Sequence, residues 1–406
     1  MKNNLLLSIC LMVTLVWVAA CKLNDETGSV GLQPKLPAQS YDYSLQIPVN
    51  FQNNHTNGVN FFVDPNTGDT IFILIDPVFA FGFGFNPQNP QITNPGATLG
   101  RVLFYDPQLS LNNSISCASC HKQELAFSDG VASSQGFAGK KTPRNSMAIL
   151  NAGFNNNLFW DSRESSVKGL VTRPIQNHIE MGIEDMRRLE IKLANVDFYP
   201  DLFQAAFGSR AITEERIADA LAQFVSAITT TNSKFDQESK NNFAGFTTLE
   251  MMGSDLFFTP RTNCSRCHAA PNFAAPDFVG GEYGSTGGSF GGNGEDLKGG
   301  ANNGLEVKYS DPGIGNDKFR IPSLRNIALT APYMHDGRFR TLEDVVEHYS
   351  NGMQANQNLD DNLRNADGSP LRPNLNALEK KAMVAFLHTL TDETLLTDPK
   401  YSDPFK

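Results

Sequence analysis

Two copies of one pentapeptide constrain this chain more than any other feature: Cys117-Ala118-Ser119-Cys120-His121 and Cys264-Ser265-Arg266-Cys267-His268. Two cysteines three positions apart, with histidine directly after the second, are what covalent haem attachment requires. Each thiol adds to one haem vinyl, and the adjacent imidazole then sits under the iron as its proximal ligand. The other chemistry open to paired CxxC motifs is a four-thiolate zinc site. These pairs lie too far apart for zinc-ribbon spacing and each carries an attached histidine, which favours two covalently bound haem c groups. The cofactors then supply much of the core, and the pattern around each motif is helical with long loops.

The remaining cysteines, Cys10 and Cys21, fall in an N-terminal leader, so no disulfide framework is needed. Lys2, an apolar run from Leu5 to Ala20 and small residues before Cys21 read as a secretory signal, too short and too poorly flanked for a spanning helix. Val18-Ala19-Ala20-Cys21 resembles a bacterial lipobox. On that reading Cys21 is lipidated and becomes the mature N-terminus, a membrane anchor whose strength comes from about 0.8 kcal/mol per buried methylene. Plain cleavage giving a free periplasmic protein is the other reading. Either way the chain is exported, to the periplasm or the cell envelope. At 406 residues it has room for two or three domains, and a net charge of -10 without a basic run argues against nucleic acid.

Residues 22–40 are polar and read as a tether; Tyr41 to Phe85 carries short apolar runs, Phe61-Phe62-Val63 and Ile71 to Ile75, that predict a small hairpin. His55, among asparagines, reads as an exposed loop residue. The clearest helix spans Thr213 to about Thr230, with Ile217, Leu221, Phe224, Val225 and Ile228 on one face. Lys234 to Thr248 reads as a polar connection, and Val279 to Gly304 as a glycine-rich loop without the strand-then-helix context of a nucleotide cradle. A last helix is predicted from Asn376, with Leu378, Ala382, Phe386 and Leu390 inward and His388 on the solvated face. The expected fold is therefore mainly α: two cytochrome-c-like haem domains with long loops, preceded by a small N-terminal β-containing segment. The boundaries are 1–20 for the signal peptide, 21–91 for tether and insert, 92–245 and 246–392 for the haem domains, and 393–406 for a C-terminal tail.

Residues 92–392 resemble the bacterial dihaem cytochrome c peroxidases and their MauG-like relatives, through LGRVLFYDPQLS, ISCASCHK, FSDG, TPRNS, LFWDSR, PIQNHIEMG, NCSRCH and IPSLRNIALTAPYMHDGRFRTLEDVVEHY. The resemblance implies two helical haem domains with a calcium ion between them. It assigns Cys117, Cys120 and His121 to the haem that meets peroxide, and Cys264, Cys267 and His268 to the haem that passes electrons. Trp160 in LFWDSR matches the family tryptophan between the haems, and Glu180 the distal glutamate, a carboxyl whose burial suits it to proton transfer. Asn145 supplies a side-chain oxygen to calcium, with backbone carbonyls from Thr330 and Pro332; His335 packs near the haems without ligating iron.

The chain departs from the family pattern at four places. His178 stands where the glutamate motif has proline, and so could enter the pocket or serve the loop. Phe137 occupies the position of the histidine that caps the resting iron in reductively activated members, so the first haem is expected to have an open distal site. Leu170 replaces a common distal glutamine, which Gln176 could restore. Tyr349 takes the place of the second haem's distal methionine, as in the MauG-like branch. It shares a helical face with Leu342, Val345 and Val346 behind a cap at Thr341 and Asp344, while His348 and Met353 are the competing ligands.

Three functions follow as expectations. One is a dihaem peroxidase that reduces hydrogen peroxide to water with electrons from a small cytochrome c or cupredoxin. Another is a MauG-like oxidase that modifies a partner protein, and the third is a non-enzymatic c-type electron carrier. Dimerisation is a further expectation from the family.

Overall fold

Two helix pairs, each crossing at a glycine, shape the walls around the two haem motifs. The helices are α1 Asn94–Tyr105, α2 Cys117–Cys120, α3 Val167–Gln176, α4 Met186–Ala194, α5 Tyr199–Phe207, α6 Glu214–Ala227, α7 Lys234–Ser239, α8 Thr248–Phe258, α9 Cys264–Cys267, α10 Leu342–Glu347 and α11 Ala377–His388. The computed structural model describes residues 32–44, 59–63, 70–74, 86, 88–275, 300–306 and 311–406. The leader with Cys21, His55 and the glycine-rich positions 279–299 lie outside the described residues. The protein is mainly α-helical, and no helix among the described residues is long and apolar enough to cross a membrane.

Strands β1 Val59–Val63 and β2 Thr70–Leu74 pair antiparallel, Val59 opposite Leu74 and Val63 opposite Thr70, the hairpin read from the two apolar runs. Further on, β3 Gly300–Ala301 pairs with β4 Phe319–Arg320, so the C-terminal edge of the glycine-rich stretch is a short strand.

Helix α1 packs on α6, and α8 packs on α11, in the same way. A Cβ added at Gly100 would lie 1.9 Å from the Ala220 carbonyl oxygen and 2.7 Å from Phe224 Cβ. At Gly253 the equivalents are 1.9 Å from the Ala382 carbonyl oxygen and 2.8 Å from Phe386 Cβ. The backbones thus touch where only glycine fits. Alanine gains about 1 kcal/mol of helix propensity over glycine, but here it must force two helices apart. Gly253→Ala is expected to destabilise by about 1–3 kcal/mol, read as a lowered midpoint in denaturant unfolding; an unchanged midpoint would mean that the pair opens freely.

The ends of these helices follow from local chemistry. Thr93, Thr213, Thr247 and Asn376 each accept a hydrogen bond from the first turn, and Glu250 and Glu379 complete capping boxes at α8 and α11. The predicted inner face of α6 is buried throughout, and His388 on α11 is exposed. Leu378, expected inside, is 56% exposed. It sits in the first turn of α11, ahead of the crossing at Gly253 where burial against α8 is concentrated.

The stretch read as a polar connection, 234–248, holds α7, and α7 belongs to the second pair's core. Phe235 packs edge-on to Phe273 at 5.0 Å and to Phe386 at 6.1 Å. Next to it Arg325 grips Asp236 with two hydrogen bonds, 2.7 and 2.8 Å, both side chains buried. Within the stretch 393–406, expected as a tail, residues 395–401 dock on the first pair. Arg101 Nη1 donates to the Pro399 carbonyl at 2.8 Å, Gln123 Nε2 to Leu395 and Asp398 at 2.9 Å, and Tyr401 Oη to Ala227 at 2.7 Å.

Candidate active site

Each CxxC motif is a single helical turn, so its two cysteines, three positions apart, share a face. Histidine closes the turn: His121 N donates to Cys117 O at 3.0 Å and His268 N to Cys264 O at 2.9 Å. The rings are then fixed from outside. His121 Nδ1 bonds the Phe127 carbonyl at 3.0 Å; His268 Nδ1 bonds the Phe273 carbonyl at 3.1 Å and that of Pro322 at 3.2 Å. Phe127 and Phe273 both hold left-handed backbone, φ 59 and 51, in the turn that follows each motif. A carbonyl can only accept, so Nδ1 carries the proton and Nε2 keeps its lone pair for a metal.

Electrostatics agree with that assignment. Burial pushes the His121 ring down and the His268 ring down to about 4, so both are neutral at neutral pH. Burial pushes the Cys117 and Cys267 thiols up to about 12, and raises Cys120 and Cys264. All four are free of disulfides.

One cavity of about 790 Å³, with mainly apolar walls, is lined by all six motif residues together with Trp160, Glu180 and Tyr349. Neutral imidazoles, free thiols and an apolar cavity on one wall system are a donor set that fits haem c at both motifs. Glu180 enters from the loop after α3. Its carboxyl takes a 3.0 Å hydrogen bond from Asn177 Nδ2 on Oε1, and burial raises its pKa against the opposing charge of Arg163. Trp160 Nε1 donates to the Asn145 carbonyl at 2.9 Å, and its ring lies edge-on to His335 at 6.4 Å. His335 in turn stacks on Phe319, 3.8 Å apart and 11° from parallel.

A family model described as di-haem cytochrome c peroxidase matches residues 94–243. Over 307 residues the chain is 32% identical to the cytochrome c551 peroxidase of Nitrosomonas europaea, covering 76% of this chain and 82% of that one. This chain belongs to the dihaem cytochrome c peroxidase family. Over 311 residues it is also 30% identical to the methylamine utilization protein MauG of Methylorubrum extorquens, covering 76% and 81%. A crystal structure of a MauG-like protein associated with microbial copper homeostasis superposes with a TM-score of 0.67 at 32% identity, over 80% of this chain and 98% of that one. The dihaem peroxidase family is one of oxidoreductases, and its two haem c groups are the cofactors for which the two motifs are built.

Within that family frame, the structure separates residues that the sequence left in competition. Of Tyr349, His348 and Met353, Tyr349 lines the cavity. His348 bonds the Asn303 carbonyl through Nε2 at 2.9 Å, and Met353 is packed among Leu359 and Leu363. Tyr349 sits in a π-helical turn, His348–Gly352, that continues α10; such turns are common at functional sites. Leu170 is on the cavity wall, whereas Gln176 is not, so the glutamine compensation is not realised. His178 is exposed and off the cavity wall. Phe137 packs its ring against Gly182, where an added Cβ would meet it at 2.5 Å, and lies outside this cavity.

Asn145, Thr330 and Pro332 all line the cavity. Asn145 Nδ2 donates to Val131 O at 2.9 Å, which leaves Oδ1 available as an acceptor. Two functional features escaped sequence reasoning. The carbonyls of Phe127 and Phe273 set the tautomer of each proximal histidine; the available signal was an aromatic five or six residues after each CxxCH. Asn177, the partner of Glu180, was legible as the asparagine three positions before it.

Proposed function

We propose that this protein is a dihaem c-type peroxidase, taking hydrogen peroxide and two protons to two waters with two electrons from a small redox protein, a cytochrome c or cupredoxin. The observation that carries this reading is a half-buried carboxyl, Glu180, on the wall of the cavity that both haem motifs share. Haem iron, when bound, supplies the peroxide-binding and redox chemistry. The chain supplies the rest. His121 and His268 present Nε2 from rings locked by the Phe127 and Phe273 carbonyls. Glu180 can take a proton from one peroxide oxygen and return it to the other, a role favoured by burial that raises its pKa. Trp160, oxidised more easily than most side chains, sits on the shared wall as the charge relay.

The same reading includes a structural calcium ion on Asn145 Oδ1 and the Thr330 and Pro332 carbonyls, oxygens that accept no hydrogen bond from any described residue. It also includes export and an acyl anchor at Cys21, supported by the apolar run Leu5 to Ala20 before it. A second reading, a MauG-like oxidase acting on a partner protein, is favoured by Tyr349 on the cavity wall, since a phenolate ligand lowers a haem potential that thioether would raise.

Rapid mixing of the fully oxidised protein with stoichiometric peroxide, then with a reduced small cytochrome, separates these readings. A prompt haem spectral change followed by catalytic donor oxidation is the expected result. A prompt change without donor turnover moves the assignment to the second reading. No haem response in any redox state sinks both.

A further inference from the structure

Glu180 is held by a loop whose shape comes from one residue, Asn177. The carboxamide oxygen of Asn177 accepts from Ile179 N at 2.8 Å and from Glu180 N at 3.4 Å. Those two bonds orient the amide, because a carbonyl oxygen and not an NH2 must face the backbone donors. Nδ2 is thereby aimed at Glu180, where it donates to Oε1 at 3.0 Å. The rest of the loop is fixed as well. Gly182 N donates to Asn177 O at 2.9 Å, and Phe137 N donates to Glu180 O at 2.9 Å. Gly136 leaves no room to shift, since a Cβ there would lie 1.7 Å from the Ile179 carbonyl oxygen.

We propose that Asn177 is the positioning residue for Glu180, occupying Oε1 so that Oε2 is the oxygen that takes and returns the proton, and favouring the ionised carboxylate. The proposal rests on the acid–base reading of Glu180. A donor to a carboxylate stabilises its charged form more than its neutral one, so the amide opposes the burial that raises Glu180. The other charged group facing Glu180 is Arg163, stacked 3.5 Å over the Phe159 ring and paired with Asp161 at 2.7 Å. The Cys117 and Cys120 thiols also face it, but as thioethers they no longer titrate. Arg163 acts at longer range from a partly exposed side chain, whereas Asn177 touches the carboxylate.

The test uses the haem-loaded protein and two variants. Asn177→Ala removes both the turn and the donor; Asn177→Ser keeps a neutral oxygen for the Ile179 and Glu180 amides, as serine turns mimic asparagine turns, but carries no amide N–H to Oε1. The infrared carbonyl band of protonated Glu180, assigned by its loss in Glu180→Gln, is followed against pH. In both variants its midpoint is expected to rise by about one to two pH units, the shift carried by one hydrogen bond to a charged group. The acid limb of peroxide turnover should move the same way. A role confined to loop structure predicts a normal midpoint in Asn177→Ser, and that result, or unmoved midpoints in both variants, overturns the proposal. If Glu180→Gln keeps full turnover, it is the acid–base reading of Glu180 that fails, whatever the infrared midpoints do, and the mechanistic role of Asn177 falls with it.

Discussion

Glutamine in place of Glu180 is expected to lower peroxide turnover by about two to four orders of magnitude while both haems remain attached. The substitution is nearly isosteric and can still accept the 3.0 Å hydrogen bond from Asn177 Nδ2, so the loop keeps its shape. What it loses is the capacity to take a proton. Haem attachment depends on Cys117, Cys120, Cys264 and Cys267, none of which hydrogen-bonds Glu180. Steady-state turnover together with a haem count per chain therefore isolates the proton-transfer step. Turnover within a few-fold of the parent would remove Glu180 from the mechanism. The pH profile should agree: burial raises the Glu180 pKa, so the acid limb is expected above the ordinary glutamate value.

The largest effect on stability is expected from Arg325→Met. Arg325 and Asp236 form a bidentate pair with side chains only 3% and 6% exposed, and Arg325 Nε also donates to the Pro271 carbonyl at 2.9 Å. Removing the guanidinium leaves a buried carboxylate with only the Ser233 bonds, a change of about 3–5 kcal/mol. The pH dependence gives it a signature. In the parent, burial pushes the Asp236 carboxyl up, but Arg325 and Ser233 outweigh burial and hold it below the ordinary value. A depressed carboxyl contributes stability above its unfolded pKa of about 4 and loses it as pH falls through the folded value. In the variant burial dominates and the sign reverses, so the deficit should shrink as the medium is acidified through the carboxylate range. Denaturant unfolding at neutral and acidic pH checks this. A deficit that is constant with pH would mean that Asp236 finds another partner.

Much of the site was readable in advance because it is encoded locally. The CxxCH repeats carry their chemistry within five residues, and one helical turn is enough to bring thiols and imidazole together. The helix starts at Thr213 and Asn376, the cap at Thr341 and the inner face of α6 follow from patterns in windows of a dozen residues, and the structure has them. Leu378 was misplaced because periodicity shows which face of a helix is apolar but not how far along its length a neighbour covers it.

The sequence by itself determined the two haem sites, the helical class and the residue types able to move protons and charge. Tertiary structure alone decided which of them converge. Helical periodicity sets Tyr349 on the face of Leu342, Val345 and Val346, but only the packed chain turns that face to the cavity and ties His348 to the Asn303 carbonyl. No short window joins Arg101 to the Pro399 carbonyl, Gln123 to Leu395, or Asp236 to Arg325, pairs separated by 298, 272 and 89 positions. Such contacts form where the packed chain leaves a buried polar group needing a partner, and that need is defined only once the helix pairs have closed on Gly100 and Gly253.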